Sequence, residues 1–201
     1  MIAAHHRARE VMKSGPGNYP VGAILAMEDD QPDGEDTRGR DRKRRDVYGS
    51  WLEAASKSDF LGVQVYTRVR VGLEQNLPPA PGVELNQNKD EFYPEALGDV
   101  IRYAAPIAKV PIYVTENGIP TADDTRRVEF IRRSLKSMKE CMDAGIDVRG
   151  YFHWSLLDNW EWNSGYAQTY GLVAVDRKTL KRTVKPSAYV LGNIAKMNSL
   201  A

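Results

Sequence analysis

A single cysteine, Cys141, stands among 201 residues. One thiol cannot close an internal disulfide, so a reducing, cytoplasmic setting is the expectation. Its neighbours Met138 and Met142 belong to an apolar helical stripe, which makes Cys141 a buried, inert thiol. Long apolar runs are also lacking. None approaches the roughly 18 consecutive residues that a spanning helix needs, so no membrane partner is expected. Charge of one sign is not in excess either, with 28 basic against 27 acidic side chains and a net charge of +1. That balance gives no electrostatic reason to bind nucleic acid or an anionic membrane. With 3 histidines and no second cysteine at ligand spacing, no metal site and no cofactor is expected. Asp29, Asp33 and Gly34 sketch a calcium loop, but Gln31 and Arg40 fall where oxygen ligands belong. The N-terminus carries charges where a signal peptide needs an apolar centre, so no secretion signal is read there. The chain holds no repeat of solenoid period and no low-complexity tract.

What is present is ordinary for a folded domain: 42% hydrophobic and 27% charged residues. The length suits one domain over residues 1–201, with enough chain to bury a core. Four strand-then-helix units follow one another. The strands are expected at Val21–Met27, Phe60–Thr67, Val110–Thr115 (ending at Glu116) and Val148–Trp154. They are short, β-branched or aromatic and near-continuous in apolarity, as strands covered on both faces should be. Helices are expected at residues 2–13, Val47–Ser58, Glu95–Lys109 and Ser187 to about Met197. A further helix carries Val128, Ile131, Leu135, Met138 and Met142 on one face. Thr121 and Asp124 have the spacing of its N-terminal cap, and Gly145 closes it. Glu28 to Asp46, dense in charges of both signs, reads as a solvated loop. Residues 171–183 read as a hairpin turning at Asp176–Thr179. Strands alternating with helices predict an α/β fold with a parallel sheet.

Three segments carry chemistry. Tyr113-Val114-Thr115-Glu116-Asn117-Gly118 delivers a carboxylate to a strand's C-terminal end, where α/β barrels assemble their sites. Such a carboxylate can attack an anomeric carbon and form a glycosyl intermediate. On strand position alone, a solvent-facing glutamate before a turn is the simpler reading. Trp154 to Tyr166 holds Trp154, Trp160 and Trp162, three of the chain's 4 tryptophans, interleaved with Asp158 and Glu161. Indoles pack on the C–H faces of sugars, while carboxylates bind hydroxyls in fixed directions. A core role does not easily absorb three indoles beside two acids, because buried acids need partners. In Gly62 to Thr67, Tyr66 can either donate to a neighbouring carboxylate or simply pack in the core.

Together these segments resemble glycoside hydrolase family 1, the β-glucosidase family. Its nucleophile segment ends in Thr-Glu-Asn-Gly, as Thr115 to Gly118 do. Its sugar-binding segment runs Trp-Ser-Leu-Leu-Asp-Asn, an aromatic, then Glu-Trp, as Trp154 to Trp162 do. Gly171-Leu172-Val173, Val175-Asp176 and Lys185-Pro186-Ser187 extend the likeness, which runs from about Pro20 onward. The resemblance implies a (β/α)8-barrel of which the chain carries the last four βα units, a C-terminal half barrel with parallel strands. It implies a retaining β-glycosidase acting on a β-linked sugar or glycoside. Glu116 would be the nucleophile, supported by Tyr66. Glu161 would hold the sugar hydroxyls at positions 4 and 6, with Trp162 beside it and Trp154 as stacking platform. The Glu-Trp pair points to an unphosphorylated sugar. Two positions depart from the family. Gln64-Val65-Tyr66 stands where Asn-Tyr-Tyr is usual, so Gln64 would reach with a longer arm. Tyr170 replaces a common Phe and would add a hydroxyl on the leaving-group side.

The family's acid/base glutamate lies in an Asn-Glu-Pro motif after its fourth strand, and no Asn-Glu-Pro occurs in these residues. Retaining hydrolysis needs two carboxyls about 5–5.5 Å apart, one to attack and one to protonate. The chain alone is therefore expected to be an impaired glycosidase. Half a barrel also exposes inward side chains and two strand edges. Closure by a second copy, as a homodimer, or by a complementary N-terminal half barrel is expected. The competing class is a non-catalytic carbohydrate-binding or assembly module that keeps Trp154, Glu161 and Trp162 for binding.

Overall fold

A computed structural model describes residues 1–200. In chain order the elements are α1 (Ile2–Lys13), β1 (Ala23–Ala26), β2 (Asp29–Pro32), α2 (Arg38–Lys43), a π-helical turn (Arg44–Gly49) and α3 (Ser50–Ala55). There follow β3 (Leu61–Val65), β4 (Arg68–Val71), β5 (Asn76–Leu77), α4 (Ala96–Ala108), β6 (Ile112–Asn117) and α5 (Asp124–Asp143). The chain ends with β7 (Val148–His153), β8 (Val173–Val175), β9 (Arg182–Val184) and α6 (Pro186–Met197).

The organising feature is a sheet of four strands in the order β1-β3-β6-β7, every neighbouring pair parallel. This is the parallel α/β arrangement expected from the alternation of strands and helices, and it has the form of a partial α/β barrel. Its helix-side face is an apolar core. Leu61, Val63, Val65, Ile112 and Val114 are fully buried against Leu52, Leu97, Val100, Ile101 and Ala104 of the covering helices. Burying side chains of this size contributes about 1.5–3 kcal/mol each. Cys141 lies in the same core, as expected. Burial pushes its thiol pKa up, which keeps it an unreactive hydrophobe. Met142, at the end of the apolar stripe of α5, is exposed but lines the same hollow as Leu135 and Met138.

The opposite face of the sheet is largely open. Ile24 and Phe152 on it are 53% and 59% exposed, and Phe60 meets Tyr113 edge to face at 5.2 Å. Glycines make room for these side chains. A Cβ on Gly62 would stand 2.9 Å from Ile24 Cγ1 and from Thr115 Cγ2, and one on Gly150 would stand 2.8 Å from the Tyr113 ring.

Three expectations are corrected. Glu28 to Asp46 is not a solvated loop. It forms β2 and starts a helical run at Arg38. Asp29 and Asp30 are 2% and 1% exposed, each beside a cation from that run, Arg44 at 3.3 Å and Lys43 at 2.6 Å. Charges of both signs in one stretch can pair with each other, so charge density did not require solvation. The helix expected at Val47–Ser58 is only the end of this run, which stops at Ala55. The cap of α5 is Asp123, whose carboxylate accepts from Thr125 N at 2.9 Å. Thr121 Oγ1 instead accepts from Asp123 N, and Asp124 turns to Ser187 and Arg127. Gly145 closes α5 at φ +89°, and the hairpin between β8 and β9 forms as expected.

A second sheet, β2-β4-β5, was not foreseen. β4 leaves the end of β3 after only Tyr66 and Thr67. Arg68 at its start forks onto Glu91 at 3.0 and 2.6 Å and lies over the Tyr93 ring at 4.0 Å. These contacts fix the 86–93 segment beside the C-terminal ends of β3 and β6.

Candidate active site

Glu116 sits one residue before the end of β6, and a register shift aims it. Val63 pairs with Val114, but Gln64 pairs with Glu116, so Thr115 is an extra residue on β6. Strict alternation would send Thr115 and Glu116 to opposite faces. The bulge keeps both on the open side. Thr115 faces Gly62 there, and Glu116 meets Gln64.

The Glu116 carboxylate accepts a hydrogen bond at each oxygen. Gln64 Nε2 donates to Oε1 at 2.6 Å, and the Tyr66 hydroxyl donates a short bond to Oε2. Charge-assisted bonds of this kind are the strong ones. They fix both the rotation of the carboxylate and its tilt. Tyr66 is held in turn, its ring meeting the Tyr170 ring edge to face at 5.9 Å. Burial, and then the bond to Glu116, push the Tyr66 phenol pKa far above its ordinary value, so it remains a donor.

Below these groups a polar chain, buried at Asn117 and half-buried at Tyr151 and His153, ties the strand ends together. Asn117 is 1% exposed; its Nδ2 donates to Val65 O at 2.7 Å and its Oδ1 accepts from the Tyr151 hydroxyl at 3.0 Å. Tyr151 has one hydroxyl proton, already given to Asn117. The His153 Nδ1, 3.1 Å from the same hydroxyl, must therefore be the protonated nitrogen. Burial, reinforced by the Arg127 charge, pushes the His153 pKa down to about 3, so the ring is neutral. This chain bonds β7 to β6 and β6 to β3 directly beneath Glu116.

The segment after β7 divides its acids between two tasks. Asp158 is structural. Its Oδ1 accepts from Gly171 N at 2.8 Å and from Lys185 Nζ at 2.9 Å, locking the loop to the hairpin. This corrects the expectation that it joins Glu161 in binding hydroxyls. Glu161 keeps one carboxylate oxygen, Oε1, buried and without a hydrogen-bond partner among the described residues. Its pKa is raised by burial first and also by the Glu116 charge, against a donor contact from Trp154. The two carboxylates therefore sense each other, and Glu161 also acts on Tyr66 and Tyr170. Trp162 is 93% exposed beside Glu161, whereas Trp160 packs edge to face on Tyr166 at 5.1 Å.

Two hollows open here. One of about 400 Å³ is lined by Gln87, Asn88, Glu161, Trp162 and Gln168. Another, of about 340 Å³, is lined by Glu28, Tyr48, Gln64, Tyr66, Asn88 and Tyr170 among others. Asn88 belongs to both. Sequence reasoning passed over Asn88 and the Asn117–Tyr151–His153 chain. The run Asn86-Gln87-Asn88-Lys89-Asp90 looks like any polar turn, and a half-buried tyrosine–histidine pair has no spacing signature.

The family model for glycosyl hydrolase family 1 matches residues 52–200. The chain belongs to this family. A beta-galactosidase of Saccharolobus solfataricus is 32% identical over 235 residues, an alignment that takes in 97% of this chain and 47% of that protein. A 1,4-beta-D-glucan glucohydrolase of Thermotoga neapolitana is 30% identical over 198 residues, covering 91% of this chain and 45% of the relative. Among solved structures, the apo structure of a beta-glucosidase superposes with a TM-score of 0.92 at 49% identity, over 98% of this chain and 48% of that one. The chain thus spans about half the length of the family members it matches. Its four-stranded parallel sheet is the part of the family fold that this span covers.

Proposed function

We propose that the chain is the nucleophile-bearing, C-terminal half of a retaining β-glycosidase barrel, forming one folded unit over residues 1–201. Glu116 attacks the anomeric carbon as the bond to the leaving group breaks. Water then releases the sugar and regenerates the carboxylate. Tyr66 and Gln64 hold Glu116 for attack, with Tyr170 behind them. Glu161, Trp162 and Trp154 take the sugar itself, an unphosphorylated β-glycoside. The observation that carries this reading is a carboxylate gripped at both oxygens, on the open side of a parallel sheet, within electrostatic reach of Glu161.

The acid/base carboxyl is supplied from elsewhere, since no Asn-Glu-Pro occurs in these residues. The uncovered sheet face with Ile24 and Phe152 and the edges of β1 and β7 receive the other half of the barrel. The matched relatives are about twice as long as this chain, and their remaining half is the occupant of that face. Without an acid, only glycosides whose leaving groups need no proton should react.

The test follows from that chemistry. A 2-deoxy-2-fluoro β-glucoside with a dinitrophenolate leaving group needs no acid and traps the glycosyl ester. Intact-mass and peptide spectra should place one sugar on Glu116 and none on the Glu116→Gln chain. Labelling at another residue, or sugar binding with no labelling, would replace this reading with a non-catalytic carbohydrate-binding or assembly module.

A further inference from the structure

We infer that Asn88 is a positioning residue for Glu116, acting through Tyr170 and Tyr66. The inference rests on the reading of Glu116 as nucleophile. Asn88 Nδ2 donates to the Tyr170 hydroxyl at 2.9 Å, across 82 residues of sequence. The Tyr170 ring lies edge to face on the Tyr66 ring, and the Tyr66 hydroxyl donates to Glu116. Three contacts thus run from a surface loop to the carboxylate that has to be aimed.

The loop is built to hold Asn88 still. Asn86 Oδ1 accepts from the backbone N–H groups of Asn88 at 2.8 Å and Asp90 at 3.1 Å, and Lys89 adopts φ +71°. Gln87 stitches the same loop to Thr169, the residue next to Tyr170. Its Oε1 accepts from Thr169 N at 3.0 Å, and its own N–H donates to Pro120 O at 3.1 Å. Asn88 is therefore fixed from both sides before it reaches Tyr170. A phenylalanine at 170 could pack on Tyr66 but could not be anchored, since only the hydroxyl meets Asn88.

An anchored Tyr170 limits how far the Tyr66 ring can tilt, and tilt is what would move its hydroxyl off Glu116. This assigns the extra hydroxyl of Tyr170 to a bond within the protein. Tyr170 is then an anchor for Tyr66 rather than a ligand for the leaving group. A packing role alone makes a different prediction: Tyr170→Phe would then behave as the parent chain.

The experiment uses the full chain with Asn88→Ala, Tyr170→Phe and the double variant, all checked for folding by circular dichroism. Labelling by the fluoroglucoside is resolved into its saturation constant and its first-order rate constant. Each single variant should slow the first-order constant by about five- to tenfold, the equivalent of one ordinary hydrogen bond, with an unchanged saturation constant. The double variant should be no slower than either single one, because both break the same contact. A second readout does not need chemistry at Glu116. The Gln64 carboxamide protons, which face the Glu116 carboxylate, should exchange with solvent faster in both variants. Folded variants with parent-like labelling and parent-like Gln64 exchange would overturn the inference. If the parent chain is not labelled at Glu116, the proposed function fails, and Gln64 exchange alone still decides whether Asn88 acts on the carboxylate.

Discussion

Replacing Asp29 with Asn should stabilise the folded chain above neutral pH and lose that effect in acid. Asp29 is 2% exposed on β2, and its pKa is raised from 3.8 to about 6, with burial as the main cause. Gln31 Nε2 at 2.5 Å and Arg44 at 3.3 Å favour the ionised form, but they do not offset desolvation. A folded pKa above the unfolded one means that the native state holds the proton more tightly. Its contribution to stability is full below about pH 3.8 and is lost as pH rises through about 6. The raised pKa corresponds to about 3 kcal/mol of penalty on the ionised form at pH 8. Asparagine avoids that penalty but has one acceptor oxygen for two donors, which costs about 1 kcal/mol. The net gain should be roughly 2 kcal/mol at pH 8 and near zero or negative at pH 4. Urea unfolding at the two pH values, followed by tryptophan fluorescence, measures both. Equal destabilisation at pH 8 and pH 4 would refute the reasoning, because it would mean that the Arg44 pair outweighs the cost of burying the charge.

Tyr66→Phe removes one of the two donors on Glu116. Fluoroglucoside labelling should slow by about 10- to 100-fold, the range for a hydrogen bond to a charged group, while the thermal midpoint barely moves, since Glu116 is partly open to solvent. Arg127 is 0% exposed and is bonded to Asp124, Thr121 O and Thr169 O. Arg127→Met should cost about 3–5 kcal/mol in urea unfolding, because it breaks a buried ion pair and takes the Arg127 donor from three half-buried acceptors. The uncovered sheet face predicts assembly. Light scattering should show the isolated chain self-associating at micromolar concentration, and a separately produced N-terminal half of a family member should convert it to a discrete complex. A stable monomer that ignores that half would remove the assigned occupant.

The four parallel strands were legible because each is a short apolar run bounded by turn residues, and local patterning carries that information. Glu116 and the Trp154–Trp162 segment could be named because dense motifs survive as linear text. The interleaved charges of residues 28–46 misled, since the sequence does not say whether opposite charges meet each other or water. The division between Asp158 and Glu161 was equally hidden. Both stand in one motif, but Lys185 and Gly171 arrive at Asp158 from more than ten residues away.

The sequence by itself determined the class of fold, the order of its strands along the chain and the residue types available for chemistry. Only the tertiary structure decided where those residues point. The extra residue at Thr115 turns Glu116 to the open side, against the alternation that a strand read in isolation would follow. Gln64 and Tyr66 bond that carboxylate, Tyr170 packs on Tyr66 and Asn88 bonds Tyr170, so three separate stretches of chain meet there. Register and convergence are set by pairings between distant strands and loops, and local propensity carries no term for them.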